Sequence, residues 1–213
     1  HQLDAATPDL PARLGPVQDW QAEWKYDGIR GQLVKRAGQV WLWSRGEELV
    51  TERFPEIVAA ASALPDGTVL DGEILAWHDD PRAPGGGRPA PFALLQQRIG
   101  RKTLTRQVLQ RSPAAFVAYD LLELDGRDRR ALPQHARRAL LAQVLAGAPL
   151  LRLSPLVEAP DWPALAALRG ESRARGVEGL MLKHGASAYG TGRTRQDGLW
   201  WKWKIDPMVV DAV

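Results

Sequence analysis

The chain has 213 residues, of which 45% are hydrophobic and 25% charged, a balance that is ordinary for a soluble globular protein with a sizeable core. It contains no cysteine, which excludes disulfides, thiolate metal sites and a thiol nucleophile. No signal peptide is visible, and no apolar run approaches the roughly 20 residues of a membrane span. The net charge is +3 and the pI is about 9.4, which permits a polyanionic partner without requiring one.

The predicted elements follow an irregular lead-in at residues 1–20. Hydrophobic periodicity and turn residues place the first elements as strands at Ile29–Lys35 and Val40–Ser44, a helix at Phe54–Leu64 and a strand at Thr68–Trp77. A Pro- and Gly-rich mobile surface loop follows at His78–Pro91, and then helices at Phe92–Ile99 and around Leu104–Gln110. The last elements are a strand at Phe116–Leu124, a helix at Gln134–Leu145, a strand at Leu150–Val157, a helix at Trp162–Ala174, and strands at Gly179–Lys183 and Leu199–Ile205. Strands outnumber helices, and tight turns such as Ala37-Gly38 join several of them. The sequence therefore predicts an α+β fold with mostly antiparallel sheets flanked by helices.

Arginine is unevenly distributed along the chain. Two clusters stand out, Arg98, Arg101, Lys102, Arg106 and Arg111, and then Arg127, Arg129, Arg130, Arg137 and Arg138. Such clusters can follow a nucleic-acid phosphate backbone, or they can be solvated helix faces, and composition alone leaves both readings open.

The first candidate for chemistry is Lys25, in the segment Glu23-Trp24-Lys25-Tyr26-Asp27-Gly28-Ile29-Arg30. Its place beside Asp-Gly, where the chain turns out of a strand, lets the amine project into a cleft. A lysine must lose its proton to attack phosphorus, and neighbouring cations and partial burial favour that loss. The alternative is a surface lysine beside an ordinary turn.

Carboxylates near strands form the second and third candidates. Leu70-Asp71-Gly72-Glu73-Ile74 places acidic residues in an apolar run, where each needs a metal ion, a ribose hydroxyl or an arginine as partner. Glu178 precedes an apolar strand that ends at Lys183, and a carboxylate at a strand end suits Mg²⁺, which prefers one or two carboxylates together with phosphate oxygens. The alternatives are a turn between strands and an edge glutamate that pairs with Lys183 or an arginine.

The fourth candidate is the run Leu199-Trp200-Trp201-Lys202-Trp203-Lys204-Ile205. Alternate side chains of a strand share a face, so Lys202 and Lys204 point to one side while Trp201 and Trp203 point to the core. Two lysines about 6–7 Å apart suit a polyphosphate and would repel a third ammonium group. Surface lysines that only face water are the alternative.

Taken in order, these segments resemble the motif set of the covalent nucleotidyltransferase superfamily, which comprises DNA ligases, RNA ligases and mRNA capping enzymes. The resemblance rests on Lys25-Tyr26-Asp27-Gly28 with Arg30, Ser44-Arg45-Gly46 with Thr51, Asp71-Gly72-Glu73, Tyr119-Asp120-Leu121-Leu122, Glu178-Gly179-Leu180-Met181-Leu182-Lys183 and Trp201-Lys202-Trp203-Lys204. It covers nearly the whole chain, and its wording is most similar to ATP-dependent DNA ligases of the bacterial multidomain type.

The resemblance implies the covalent nucleotidyltransferase (ATP-grasp-like) fold, ATP as the AMP donor, and Mg²⁺ or Mn²⁺ as the metal ion. It also implies a role for each matching position. Lys25 attacks the α-phosphorus, Lys202 and Lys204 contact the α-phosphate, and Glu178 and Glu73 hold the metal ion. Glu23 accepts from the adenine amino group, Tyr119 stacks on the base, Arg30 and Glu73 hold the ribose, and Arg45 contacts the AMP or the 5′-phosphate side of a nick.

The implied organisation is an adenylation domain at residues 1–207 and the first strand of an OB-fold domain at 208–213. The implied partners are nicked double-stranded DNA and the OB-fold and N-terminal DNA-binding domains of a longer chain, with a monomer in the cytoplasm, near the nucleoid and away from membranes, as the working state. Because the family's last motif lies on the OB-fold domain, we expect weak self-adenylation and little complete ligation from these 213 residues. The alternatives are an RNA ligase, a GTP-using capping guanylyltransferase and a non-catalytic nucleic-acid-binding module.

Overall fold

The computed structural model describes residues 2–3, 9–80, 82, 86–101, 103–148, 151–190 and 199–205. The strands in these ranges are β1 (Gln2–Leu3), β2 (Trp20–Trp24), β3 (Ile29–Arg36), β4 (Gln39–Ser44), β5 (Thr68–Asp79), β6 (Gly87–Pro89), β7 (Ala114–Leu124), β8 (Arg127–Asp128), β9 (Arg152–Leu153), β10 (Gly179–His184) and β11 (Trp200–Lys204). The helices are α1 (Leu10–Leu14), α2 (Pro55–Ala61), α3 (Phe92–Ile99), α4 (Arg106–Arg111), α5 (Gln134–Ala146), α6 (Trp162–Gly170) and α7 (Ser172–Arg175).

The strands form two sheets. The small sheet has the order β1-β11-β10-β2, and the large sheet has the order β4-β3-β5-β7-β8, with β6 also paired to β5 and β9 to β7. All strand pairs are antiparallel except β1 with β11 and β7 with β9. The predicted α+β class with mostly antiparallel sheets is confirmed.

Two tight turns set the register of the large sheet. The β3–β4 turn places Ala37 at φ 47° and Gly38 at φ 74°, and the β7–β8 turn places Asp125 at φ 53° and Gly126 at φ 71°. Two consecutive positive φ values match the twist of the flanking strands, which is why Gly and Asp are frequent at such positions. The hairpin predicted at Ala37-Gly38 is therefore present.

Each sheet buries one face against helices. Residues of β3, β4, β5 and β7 form the main core with α2, α3 and α5, and fully buried members include Leu33, Leu42, Ile57, Leu70, Ile74, Phe116 and Leu141. The small sheet packs against α1 and α6 through a second cluster that contains Leu3, Leu10, Ala22, Trp162, Leu165, Leu180, Leu182 and Trp203. Because strand side chains alternate, the opposite faces of both sheets are left to carry polar residues.

Gly72 shows how closely the core face of β5 approaches its neighbour. A Cβ added at this position would lie 2.5 Å from a ring carbon of Phe116 and 2.7 Å from the carbonyl oxygen of Val117. A glycine is therefore required between the two acidic residues of this strand, so that Asp71 and Glu73 can face the opposite side.

Several predicted elements differ from the structure. The loop predicted at His78–Pro91 is partly a sheet, because β5 continues to Asp79 and pairs with β6, where a Cβ at Gly87 would lie 2.3 Å from the His78 carbonyl oxygen. Of the strand predicted at Leu150–Val157, the part from Leu151 onward contains β9, which Pro155 follows, while Leu150 lies outside the described residues. The helix predicted at Trp162–Ala174 divides after Gly170, a residue that stabilises helices poorly.

The lead-in predicted as irregular contains β1 and α1, and the Asp9 side chain caps α1 by accepting from the Ala12 N–H at 3.2 Å. The OB-fold strand predicted at residues 208–213 lies outside the described residues. Within the described ranges, none of the helices has the length and apolar character needed to cross a membrane.

Candidate active site

The polar faces of the two sheets face each other, since Lys183 of β10 donates to the Tyr119 carbonyl oxygen of β7. We call the region between these faces the cleft, and Lys25 lies beside it, directly after β2. The Lys25 N–H donates to the Gly179 carbonyl oxygen at 2.9 Å, and the Glu178 N–H donates to the Lys25 carbonyl oxygen at 2.8 Å. The Ile205 N–H then donates to the Glu178 carbonyl oxygen at 3.0 Å. These backbone bonds place Lys25, Glu178 and the end of β11 side by side.

The side chains at this point form an ion cluster. The Lys25 Nζ donates to Glu178 Oε2, and the Lys204 Nζ lies 3.3 Å from Glu178 Oε1 and 3.2 Å from Oε2. Burial acts to raise the pKa of Glu178, but the hydrogen bonds and charges of Lys25 and Lys204 outweigh it and hold that pKa below its usual range. The Lys25 side chain is 19% exposed, so the amine is sheltered yet open to the cleft.

Strand β11 presents its lysines as predicted. Trp201 and Trp203 are buried on one face, while Lys202 on the other face is exposed and Lys204 is half-buried. Burial, followed by the charges of Lys25, Arg45 and Lys204, lowers the pKa of Lys202. Cations gathered closely enough to disfavour one another's charge would gain from a polyanionic ligand.

A buried carboxylate organises the facing side of the large sheet. Asp71 is fully buried and accepts from Arg30 Nε at 3.1 Å, from Arg30 Nη2 at 2.6 Å, from the Tyr119 hydroxyl at 3.3 Å and from the Tyr189 hydroxyl at 2.6 Å. The sequence analysis expected a carboxylate of this segment to need a partner such as an arginine, and Arg30 supplies it to Asp71, but Tyr189 was not foreseen. No local pattern marks that tyrosine, which lies 118 positions from Asp71.

Glu73 points from β5 toward Lys25. Burial raises its pKa to about 7, against the charges of Lys25 and Arg30 and a hydrogen bond from the Gly28 backbone, while the charge of Asp71 adds to the rise. Gly28 permits this approach, because a Cβ there would lie 2.4 Å from the Ile74 carbonyl oxygen. The glycine after Asp27 therefore lets the segment that bears the lysine close onto β5.

The raised pKa predicts a pH-dependent stability in the chain without ATP or metal ions. Between about pH 4.5 and 7 the folded state binds more protons at Glu73 than the unfolded state, so the free energy of unfolding falls as pH rises and then levels off above about pH 7. Glu73→Gln removes this loss, and we expect it to be the more stable chain at pH 8, by up to about 3 kcal/mol.

Urea unfolding at pH 5 and pH 8 in EDTA measures the effect, and Glu47→Gln, at an exposed site, is the matched control. Wild type and Glu47→Gln should share one pH dependence, while Glu73→Gln should lose part of it. The same dependence in all three chains would contradict the assignment to Glu73.

Glu23 is buried at the inner end of the cleft and is held by two cations. Lys183 Nζ lies 2.5 Å from its Oε2, and Arg138 Nη1 donates to its Oε1 at 3.0 Å. Lys183 also donates to the Tyr119 carbonyl oxygen at 3.2 Å and lies 4.7 Å from that ring's centroid. The sequence analysis named Arg138 only within an arginine cluster. The pairing of Lys183 with Glu178, which it gave as an alternative, is not formed, because Glu178 pairs with Lys25 and Lys204.

The arginine clusters divide between the interior and the surface. Arg98 pairs with Glu56, and Arg137 pairs with Asp120, and the side chains of both arginines are fully buried. Arg101, Arg106 and Arg111 are exposed. Arg98 and Arg137 therefore fit neither alternative of the sequence analysis, a phosphate-binding track or a solvated helix face. Both guanidinium groups are buried and need a protein partner.

A lysine and carboxylate cluster between two mostly antiparallel sheets fits the nucleotidyltransferase class, and comparison with known proteins agrees. The model of the ATP dependent DNA ligase domain matches residues 11–204. The chain therefore belongs to this family.

The relatives and solved structures point the same way. The chain is 39% identical to a probable DNA ligase of Opitutus terrae over 92% of its length, and 36% identical to one of Sorangium cellulosum over 95%. It is also similar to the structure of mycobacterial DNA ligase D complexed with ATP and MES, with 32% identity, a TM-score of 0.67 and 89% of this chain covered. These matches do not favour the capping enzyme, RNA ligase or binding-module alternatives.

The matches cover only part of the proteins concerned. The chain spans 21% of the Opitutus protein, 36% of the Sorangium protein and 55% of the mycobacterial structure. The family membership therefore applies to this domain, which corresponds to one part of each of these longer relatives.

Proposed function

We propose that the chain takes AMP from ATP onto Lys25 and passes it to the 5′-phosphate of a nick in double-stranded DNA, so that the strand can be sealed. The observation that carries the proposal is the placement of the Lys25 amine, which is open to the cleft, bonded to Glu178 and close enough to Lys202 to affect its charge. The likeness to the structure of mycobacterial DNA ligase D complexed with ATP supports ATP as the nucleotide.

In the proposed first step, the Lys25 Nζ attacks the α-phosphorus of ATP. The N–P bond forms as the bond to the bridging oxygen breaks, pyrophosphate leaves, and the amine gives up a proton, which leaves a lysyl-AMP phosphoramidate. Lys202 and Lys204 contact the α-phosphate and offset the negative charge that develops on its oxygens. In the second step, a DNA 5′-phosphate oxygen displaces Lys25 from the AMP.

The nucleoside has a binding surface on each sheet. We assign Glu23 to the adenine amino group, since its carboxylate has acceptor lone pairs beyond those that Lys183 and Arg138 use. Tyr119 stacks on the base, and Arg30 and Glu73 hold the ribose. Arg45 is exposed near Lys202 and contacts the AMP or the 5′-phosphate side of the nick.

The proposed metal ion is Mg²⁺ or Mn²⁺, and the donor set near Lys25 suits it. In the part of the chain that the structure describes, no three His, Asp or Glu side chains form a ligand cluster, so a complete protein cage is not available. Mg²⁺ is commonly held by one or two carboxylates together with substrate phosphates, and Glu178, with Glu73 as the second candidate, fits that pattern. The ion would supply positive charge beside the phosphates.

We assign the further parts of the reaction to a longer protein. The proposed partners are nicked duplex DNA and the OB-fold and N-terminal DNA-binding domains of the full-length chain, and the proposed working form is a cytoplasmic, nucleoid-associated monomer. The exposed Arg101, Arg106 and Arg111 are available for the DNA backbone.

Intact-mass measurement tests the first step. The purified chain is incubated with Mg²⁺ and either ATP or GTP, and peptide mapping locates any adduct. We expect an AMP-sized mass increment on Lys25 with ATP and none with GTP. The increment should disappear when nicked duplex DNA is added. A GTP-selective increment would move the chain to the capping class, and no adduct, even with an OB-fold domain supplied in the same chain, would overturn the proposal.

A further inference from the structure

Tyr189 connects two parts of the cleft that are far apart in sequence. Its hydroxyl donates to Asp71 Oδ2 at 2.6 Å and accepts from Arg30 Nη2 at 2.7 Å. One small group thus contacts both members of the Arg30–Asp71 pair, and its single proton and an acceptor lone pair are both in use.

The ring of Tyr189 is fixed from several sides. It meets Trp200 edge to face, with the centroids 5.7 Å apart, and the Arg137 guanidinium carbon lies 5.8 Å from the ring centroid. The Tyr189 N–H donates to the Arg130 carbonyl oxygen at 2.8 Å. Trp200 begins β11, the strand that carries Lys202 and Lys204. The hydroxyl is therefore held against the large sheet by residues that are themselves anchored.

The protein uses only some of the hydrogen-bond donors of Arg30. Arg30 has five N–H donors: Nε and one on Nη2 bind Asp71, and the second on Nη2 binds Tyr189. The two donors on Nη1 have no partner among the described residues. Asp71 accepts four hydrogen bonds and is fully buried, so it has no capacity left for a ligand. Nη1 is therefore the part of the Arg30 guanidinium whose donors are left for a nucleotide.

We propose that Tyr189 is a positioning residue for sugar recognition, which fixes the Arg30 guanidinium so that Nη1 meets one ribose hydroxyl of the bound nucleotide. The inference rests on the proposed function, because it assumes that ATP occupies the cleft. Without the Tyr189 hydroxyl, Arg30 keeps its ion pair with Asp71 but can rotate about it, since one Nη2 donor and one Asp71 lone pair lose their partner.

The test is the rate of lysyl-AMP formation with ATP, 2′-deoxy-ATP and 3′-deoxy-ATP for the wild type and Tyr189→Phe. The phenyl ring keeps its packing on Trp200. We expect Tyr189→Phe to lose about tenfold in kcat/KM with ATP, mainly through KM, and to lose much less with the one deoxynucleotide that lacks the hydroxyl bound by Arg30. Discrimination between that analogue and ATP should collapse.

Tyr26→Phe is the matched control, because it removes a tyrosine hydroxyl whose charged neighbours are Glu23, Arg152 and Arg175 rather than Arg30 or Asp71. It should keep the discrimination between ATP and both analogues. In the double variant Arg30→Met/Tyr189→Phe, the second change should add little. An equal loss with all three nucleotides would show a merely structural role and overturn the inference. A wild-type chain that forms no adduct would instead overturn the proposed function.

Discussion

Replacing Lys25 with arginine is expected to abolish the AMP adduct while the domain stays folded. Arginine keeps the positive charge and can still pair with Glu178, so the ion cluster at the ends of β2 and β10 is preserved. A guanidinium does not lose its proton in proteins and offers no free lone pair to phosphorus. We therefore expect adduct formation to fall by roughly 10³-fold or more, to below detection in the intact mass spectrum.

Lys35→Arg serves as the matched control for this change. Lys35 lies five residues beyond Arg30 on β3, about 17 Å along the strand, and donates to the Gly38 carbonyl oxygen in the hairpin turn. It should adenylate at the wild-type rate. An adduct that persists in Lys25→Arg, or that maps to another lysine, would show that Lys25 is not the nucleophile.

The arrangement around Lys25 also favours this lysine over Lys202 and Lys204 as the proposed nucleophile. Lys204 shares Glu178 with Lys25, but its side chain is twice as exposed, at 38% against 19%. Lys202 has neighbouring cations and no carboxylate within bonding distance among the described residues. Lys25 directly follows β2, and its backbone is held by bonds to Gly179 and Glu178 before the chain turns toward Gly28.

Local patterns were sufficient to predict the elements whose causes are local. The β3–β4 hairpin follows from a turn with two positive φ values, and α5 follows from the spacing of apolar residues over 13 positions. Alternation alone placed Lys202 and Lys204 on the face opposite to Trp203. The motif spacing identified Lys25 and Glu178, and the structure brings these two residues into contact.

The features that the sequence did not reveal depend on contacts between distant segments. Asp71 becomes the organising carboxylate only because β3 pairs with β5 in a register that sets Arg30 beside Glu73 and Gln32 beside Asp71. Tyr189 and Arg138 reach the cleft from other parts of the chain, with no periodicity to mark them. The sequence also does not show which arginines are buried, because one arginine cluster contains both the exposed Arg130 and the fully buried Arg137.

Arg137→Met is expected to produce the largest loss of stability among single changes outside the cleft. Arg137 donates to Asp120 from Nε at 2.7 Å and from Nη2 at 3.0 Å, and both side chains are fully buried. Its Nη1 also donates to the carbonyl oxygen of Ser187, two residues before Tyr189. Methionine fills much of the space but leaves the Asp120 carboxylate buried without its partner, which costs about 3–5 kcal/mol.

Urea unfolding at pH 7 measures this cost, and two further chains interpret it. Arg130→Met breaks the exposed pair with Asp128 and should change the free energy of unfolding little, because water screens such pairs. The double variant Asp120→Asn/Arg137→Met should recover part of the loss, since the unpaired charge is gone. If Arg137→Met were as stable as Arg130→Met, the buried pair would not hold α5 to β7. If Arg137→Met is strongly destabilised, we also expect it to discriminate less between nucleotides. The backbone that carries Tyr189 would lose the hydrogen bond from Arg137 to the Ser187 carbonyl oxygen.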